Sequence, residues 1–372
     1  MSPYTNLIFE IVQHCNAKCY YCPTGIANIN NEQVKKFIAP ELFDKALSYM
    51  LENGTISSDC VVDIFNKGEP FLHPNFKEII SILNKHNLRY SLSTNASIKV
   101  EFNEKGVLRG LERIIISMPG FSADDYKRVH GFDFDKIKSN IVSLIKNFRE
   151  NGFTGKALIS FHLYKHNHNQ LNDIEEFATK NGIVVNEYVS YIVDYNMLMS
   201  YLDNRLPDEV MTKISNELFF HDEAQPLVSI LDKSPKKFWC EHENILTLDT
   251  DACLLPCSHL FYPEYKQGSI FQLKLDEIRT IKKSLAFCKR CRKYRIDYFY
   301  TVMNKFRASD VNRLYKEKII KCIPNEKTLS HRMERTVVRI YLAIISNFGY
   351  SAYYLSKFLN IKMIYRKLIQ NR

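Results

Sequence analysis

Apolar positions between residue 5 and about residue 200 alternate between two periods. Short β-rich runs occupy Thr5–Val12, Val61–Phe65, Arg89–Ser93, Arg113–Ser117, Ala157–Leu163 and Val184–Val189. Between them apolar residues recur at helical spacing, as with Leu42, Phe43, Ala46, Leu47 and Met50 within Pro40–Glu52. Asn75–Lys85, Phe134–Glu150 and Leu171–Lys180 follow the same pattern. Repeated strand–helix–strand units predict parallel strands, because a parallel neighbour needs a crossover. Six such units are too few for a closed eight-fold barrel and fit a partial (β/α)6 TIM-like barrel. Ligands in such folds sit where the loops leave the C-terminal strand ends. The expected class is α/β: a barrel core over 1–200, a less regular connection over 201–237, a small cysteine-rich domain over 238–297 and a helical, basic, aromatic tail over 298–372.

Hydrophobic residues at 45% and charged residues at 25% suit a globular protein and exclude disorder, collagen and a small disulfide scaffold. The net charge of +10 is unevenly placed. Arg292–Arg372 holds 18 Lys and Arg against five Asp and Glu, whereas the remainder holds 33 against 36. Met1–Phe9 has neither the basic nor the apolar region of a secretory signal, so a cytoplasmic chain is expected. In that compartment ten cysteines read as metal ligands or reactive thiols rather than disulfides.

Three of them, Cys15, Cys19 and Cys22, follow the first strand at C-x3-C-x2-C spacing. Three thiolates on one tight loop can hold three irons of a cubane cluster and leave the fourth iron an open position. A zinc loop or buried structural thiols are the alternatives, with His14 as the only obvious fourth ligand. A second set comprises Cys240, Cys253, Cys257, Cys288 and Cys291, in which a C-x2-C pair would meet distant cysteines. Four thiolates satisfy zinc as well as iron–sulfur. Cys60 reads as a small core residue and Cys322 as inert.

The first set resembles the signature of the radical S-adenosylmethionine (SAM) enzymes, down to Asn16 after the first cysteine and Tyr21 before the third. Lys67-Gly68-Glu69-Pro70 after the second strand resembles that family's Gly-Gly-Glu-Pro turn, with Lys67 in place of the first glycine. Ser93-Thr94-Asn95 after the third strand resembles its SAM ribose and carboxylate loop, and Ser117-Met118-Pro119-Gly120 its Ser-x-x-Gly, followed by Tyr126 and His130-Gly131. The resemblance implies a [4Fe–4S] cluster with an open iron on Cys15, Cys19 and Cys22. It implies SAM against Tyr21, Gly68, Glu69, Pro70, Ser93, Thr94, Asn95 and Ser117. Glu69 can accept from an ammonium, and Gly68 permits close backbone approach. Each of these loops taken alone also reads as an ordinary turn. The family's fifth-strand glycine-rich motif has no counterpart in Ser160–His168. His162, His166, His168, Tyr188 and Tyr191 could line the cavity or be packing residues.

The second set resembles the SPASM and shorter Twitch auxiliary-cluster domains, with Ala252 at their glycine position, Cys257 at their cysteine, and Gly268-Ser269-Ile270 as their following strand. One auxiliary [4Fe–4S] cluster on Cys240, Cys257, Cys288 and Cys291 is implied, with Cys253 an alternative ligand, a spare thiol or a catalytic residue. The resemblance further implies SAM cleavage, hydrogen abstraction from a C–H bond, and an electron donor such as flavodoxin or ferredoxin. The expected substrate is a small molecule, a sugar or a glycan precursor. A chain that opens on its first strand disfavours the alternative of peptide maturation. A zinc-bound scaffold without radical chemistry is the rival from another class.

The uncharged stretch Ile340–Ser356 falls short of the roughly 20 residues that span a bilayer. With basic flanks it suits either peripheral contact with the inner membrane surface or a helical hairpin on the core; nucleic acid ranks last.

Overall fold

The computed structural model describes residues 2–203, 205–219 and 238–303, together with 307 and 309. Its strands are β1 (Tyr4–Phe9), β2 (Ile56–Asp63), β3 (Arg89–Thr94), β4 (Leu111–Met118), β5 (Lys156–Leu163), β6 (Val184–Val189), β7 (Leu246–Leu248) and β8 (Leu254–Leu255). They form one sheet in the order β6-β5-β4-β3-β2-β1-β7-β8. Every pairing from β6 to β7 is parallel, and β7 with β8 is antiparallel. The sheet does not close on itself, so the architecture is the expected partial barrel.

Helices separate the first six strands, except β3 and β4, and their apolar stripes cover the sheet. Pro40 opens α2 (Pro40–Glu52), where its fixed φ and missing N–H suit the first turn, and Phe43, Ala46, Leu47 and Met50 are buried. Asp133 caps α5 (Phe134–Glu150) by accepting from the Lys136 amide, and Ile137, Ile141, Leu144, Ile145 and Phe148 face inward. α3 (Phe76–Lys85) and α6 (Leu171–Lys180) pack likewise through Ile79, Ile80 and Leu83, and through Ile174 and Ala178.

Two helices were not expected from periodicity. α1 (Pro23–Ile29) starts directly after Cys22, and α4 (Ala123–Val129) is capped by Ser122 Oγ accepting from the Asp125 amide. Both are only two turns long, too short for a periodic signal. The connection expected to be irregular, 201–237, takes in the end of α7 (Tyr195–Leu202) and all of α8 (Asp208–Glu217). The expected divisions after residues 200 and 297 fall inside α7 and α11 (Ile296–Met303).

The cysteine-rich region is built onto the barrel sheet. β7 pairs with β1, aligning Leu7 with Leu246 and Phe9 with Leu248. After β8, Gly268-Ser269-Ile270 is not the expected strand. A single bridge joins Cys253 to Ser269, and a 3₁₀ turn begins at Ile270. The chain then runs through α9 (Leu275–Ser284), α10 (Ala286–Lys293) and α11. Among the described residues no helix is long and apolar enough to cross a membrane. Ile340–Ser356 and Cys322 lie outside the described residues.

Candidate functional site

Cys15, Cys19 and Cys22 lie on the loop between β1 and α1, all three partly exposed. Burial, then the charge of Glu69, pushes the Cys15 thiol up to about 12; burial, then the charges of Cys22 and Cys15, pushes Cys19 well above the usual thiol range. Mutually repelling thiols become thiolates when a cation lies among them, so this donor set suits an iron cluster. The loop packs tightly: a Cβ on Gly25 would lie 2.3 Å from the Cys19 carbonyl oxygen.

Two buried glutamates tie the neighbouring strand-end loops to this one. Glu10, one residue beyond β1, accepts from the Lys67 amide at 2.7 Å and the Gly68 amide at 3.0 Å. The Glu69 amide in turn donates to the His14 carbonyl at 2.9 Å. A Cβ on Gly68 would sit 1.8 Å from the Val12 carbonyl oxygen, so the two loops meet where no side chain fits. Glu69 accepts from Thr94 Oγ1 at 2.8 Å, the Asn95 amide at 2.7 Å and the Phe71 amide at 3.2 Å. Burial raises Glu10 and Glu69 to about 7 against these donors. Asn95 completes the circuit. Its Nδ2 lies 3.5 Å from Cys15 Sγ and 3.0 Å from Asn16 Oδ1, while Asn16 Nδ2 donates to Ser97 Oγ at 2.8 Å.

On the other side, Tyr21 is buried with its hydroxyl 3.2 Å from His162 Nδ1, and His162 Nε2 is 2.5 Å from the Tyr188 hydroxyl. Burial pushes His162 down to about 3, so the imidazole is neutral and bridges the two phenols. His166 is held between Glu217 at 2.8 Å and Asp125 at 3.2 Å, and Arg128 pairs with the same Glu217.

The second cysteine set surrounds a pocket. Its lining includes Cys240, Cys257, Cys288 and Cys291, with Lys282, Asp297 and Tyr300, and does not include Cys253. Cys288 and Cys291 share one turn of α10, and Cys257 follows β8. Burial raises Cys240 to about 12 and Cys257 and Cys288 to about 11, so these thiols too suit a cationic occupant. Cys253 lies on the hairpin turn, its amide donating to Asp249 Oδ1 at 2.9 Å. Among the described residues no group of three or more His, Cys, Asp or Glu side chains is drawn together as a site for a single metal ion.

Residues 9–178 match the model of the Radical SAM superfamily. They are a radical SAM domain. Radical SAM proteins work with a [4Fe–4S] cluster and SAM, act on a substrate and need a reductant. The chain is 24% identical over 265 residues to a "Probable GTP 3',8-cyclase" of Methanococcus aeolicus, covering 68% of this chain and 84% of the relative. It is 24% identical over 299 residues to the protein of that name in Methanococcus vannielii, covering 75% and 95%. Among solved structures, Streptococcus suis SuiB bound to precursor peptide SuiA has a TM-score of 0.49 and 15% identity, over 78% of this chain and 66% of that one, just under two thirds of SuiB. Native anSMEcpe with bound AdoMet has a TM-score of 0.48 and 14% identity, over 79% and 88%.

Within the radical SAM domain the structure gathers Gly68, Glu69, Thr94 and Asn95 about the first cysteine loop. Pro70 opens a buried 3₁₀ turn behind them, and Ser93 and Ser117 are half-buried at the strand ends. The Tyr21 side chain points into an aromatic group with Tyr20 and Tyr164. Sequence reasoning missed Glu10, although a lone carboxylate inside the apolar run Ile8-Phe9-Glu10-Ile11-Val12 was the available signal. It also missed Lys282.

Proposed function

We propose that in this radical SAM enzyme Cys15, Cys19 and Cys22 hold three irons of the [4Fe–4S] cluster, and that the loops of Gly68–Pro70, Ser93–Asn95 and Ser117 hold SAM. When bound, the pair supplies a one-electron reductive cleavage whose 5′-deoxyadenosyl radical removes a hydrogen atom from a substrate C–H bond. The observation that carries this reading is Asn95, bonded at once to Glu69 and toward Cys15, which makes three separate motifs one hydrogen-bonded unit. The chain's own residues then have distinct tasks. Glu10 and Glu69 fix the loop backbones. Asn95 donates toward a cluster sulfur, which stabilises negative charge there. Neutral His162 orients Tyr21 and Tyr188 without adding charge to the cavity.

Cys240, Cys257, Cys288 and Cys291 would hold a second [4Fe–4S] cluster. Four thiolates cap every iron of a cubane, so this cluster would carry electrons rather than bind substrate, which favours an oxidative outcome. The substrate in this reading is a small molecule. GTP is the first to try, because relatives named as probable GTP 3',8-cyclases match across most of the chain.

The test is anaerobic purification with iron, sulfide and zinc analysis, followed by dithionite and SAM with and without GTP. The expected result is a brown protein with about eight irons that forms 5′-deoxyadenosine. A colourless, zinc-loaded protein that leaves SAM intact would overturn the reading and favour a metal-bound scaffold. SAM cleavage without loss of GTP would retain the enzyme and exclude this substrate.

A further inference from the structure

The second pocket contains a positive charge that no carboxylate explains. Lys282, on α9, is 3% exposed and lines the pocket beside all four cysteines. Its ammonium donates to the His242 carbonyl at 2.7 Å and to the Ile245 carbonyl, both on the segment that follows Cys240. An ammonium has three hydrogens, so one remains beyond these carbonyls, with the Tyr4 ring centroid 5.7 Å from the nitrogen. The groups that would favour its charge once deprotonated are the thiols of Cys257, Cys240 and Cys288. Two carbonyl acceptors favour the protonated, donating form of the amine.

Of the other charged groups around the pocket, Arg292 also acts on Cys288, whereas Lys282 acts on both Cys257 and Cys288. Arg292 is paired with Glu243 at 3.1 Å. Asp297 is buried, and that burial raises it above the ordinary aspartate range. His242 and His259 are buried and pushed well down, hence neutral. A buried lysine costs several kcal/mol unless something anionic repays it. A cubane held by four thiolates is anionic, and becomes more so on reduction.

We propose that Lys282 is a positioning charge that raises the reduction potential of the cluster in this pocket, making it an electron acceptor. The inference rests on the reading of Cys240, Cys257, Cys288 and Cys291 as cluster ligands. Reduction adds one electron to the cluster, and a nearby fixed cation favours the more negative product. The ammonium is fixed in place by two backbone carbonyls.

The experiment uses the full-length Cys15→Ala/Cys19→Ala/Cys22→Ala protein, reconstituted with iron and sulfide, so that only the second cluster is read. Redox titration followed by electron paramagnetic resonance compares Lys282 with Lys282→Met and Lys282→Arg. At the parent midpoint, Lys282→Met is expected to show at least a tenfold lower ratio of reduced to oxidised cluster, which is about 59 mV for one electron. Lys282→Arg keeps the charge and is expected to stay within threefold. An unchanged ratio in Lys282→Met with full iron content overturns the proposal while leaving the cluster reading intact. If Lys282→Met loses its iron, Lys282→Gln decides instead. Loss of iron in both overturns the proposal, since the lysine then serves assembly only. A parent protein with no iron or sulfide overturns the underlying reading itself.

Discussion

The side-chain amide of Asn95 lies 3.5 Å from the sulfur of Cys15, while its backbone amide donates to Glu69 at 2.7 Å. One residue therefore joins the loop after β3 to both the cysteine loop and the loop after β2. A net hydrogen bond is worth about 1 kcal/mol, or several-fold in an equilibrium. Asn95→Ala is expected to lower the SAM-cleavage rate by about tenfold and shift the first cluster's potential negative, with iron content retained. Wild-type potential in this variant would show that the amide does not reach the cluster sulfur.

The two cysteine sets are expected to fail independently. Changing Cys15, Cys19 and Cys22 to Ala should abolish 5′-deoxyadenosine formation. Changing Cys288 and Cys291 to Ala should lower iron by about half, from about eight to about four per chain. Cys253→Ala should leave iron unchanged, because Cys253 does not line the second pocket. Iron analysis on the three variants checks all of this, and loss of iron in Cys253→Ala would move the ligand set.

Glu10 gives a pH dependence with a definite sign. Burial raises it from an ordinary 4.5 to about 7, outweighing its two amide donors and the Lys67 charge. Between those values the folded chain binds more protons than the unfolded chain, so stability falls as pH rises from about 4.5 to about 7 and levels off above. Glu10→Gln keeps an oxygen for the Lys67 and Gly68 amides and removes the titration. Thermal unfolding measured across that window should show a shallower decline in the variant. Parallel curves would mean that Glu10 is not buried as a titrating group.

Gly68→Ala tests the closest approach of two loops. Its methyl would lie 1.8 Å from the Val12 carbonyl oxygen and 3.0 Å from that of His14. Overpacking of this kind costs roughly 1–3 kcal/mol. The expected result is a lower unfolding temperature and loss of SAM binding by calorimetry. Gly54, with open space at its Cβ, is the control, although its φ of +64° makes alanine mildly strained there.

Helices α2, α5 and α6 were legible to the residue, because apolar spacing, Pro40 and Asp133 all give the same boundaries. Each of the four strand-end motifs could be picked out locally because it lies within three to eight consecutive residues. What joins them was not. Glu10 meets Lys67 and Gly68, and Thr94 meets Glu69, only through the parallel pairing of β1, β2 and β3, which no local window contains. Cys253 and Cys257 are close in sequence and were competing ligands. The hairpin separates them: Ala252 adopts φ +54° at the turn, and Asp249 then captures the Cys253 amide. Lys282 carries no signal in the sequence, since its burial depends on carbonyls contributed from residues 242 and 245.

The pairing of Leu7 with Leu246 has a consequence for how this chain is made. β1 leaves the ribosome well before β7 and β8, and one of its edges stays bare until that hairpin has been synthesised. During that interval a strand carrying Leu7 and Phe9 offers unpaired amides to any passing neighbour. Productive expression should therefore depend on chaperone capacity and slow growth temperature, and fragments ending before Leu246 should accumulate in inclusion bodies.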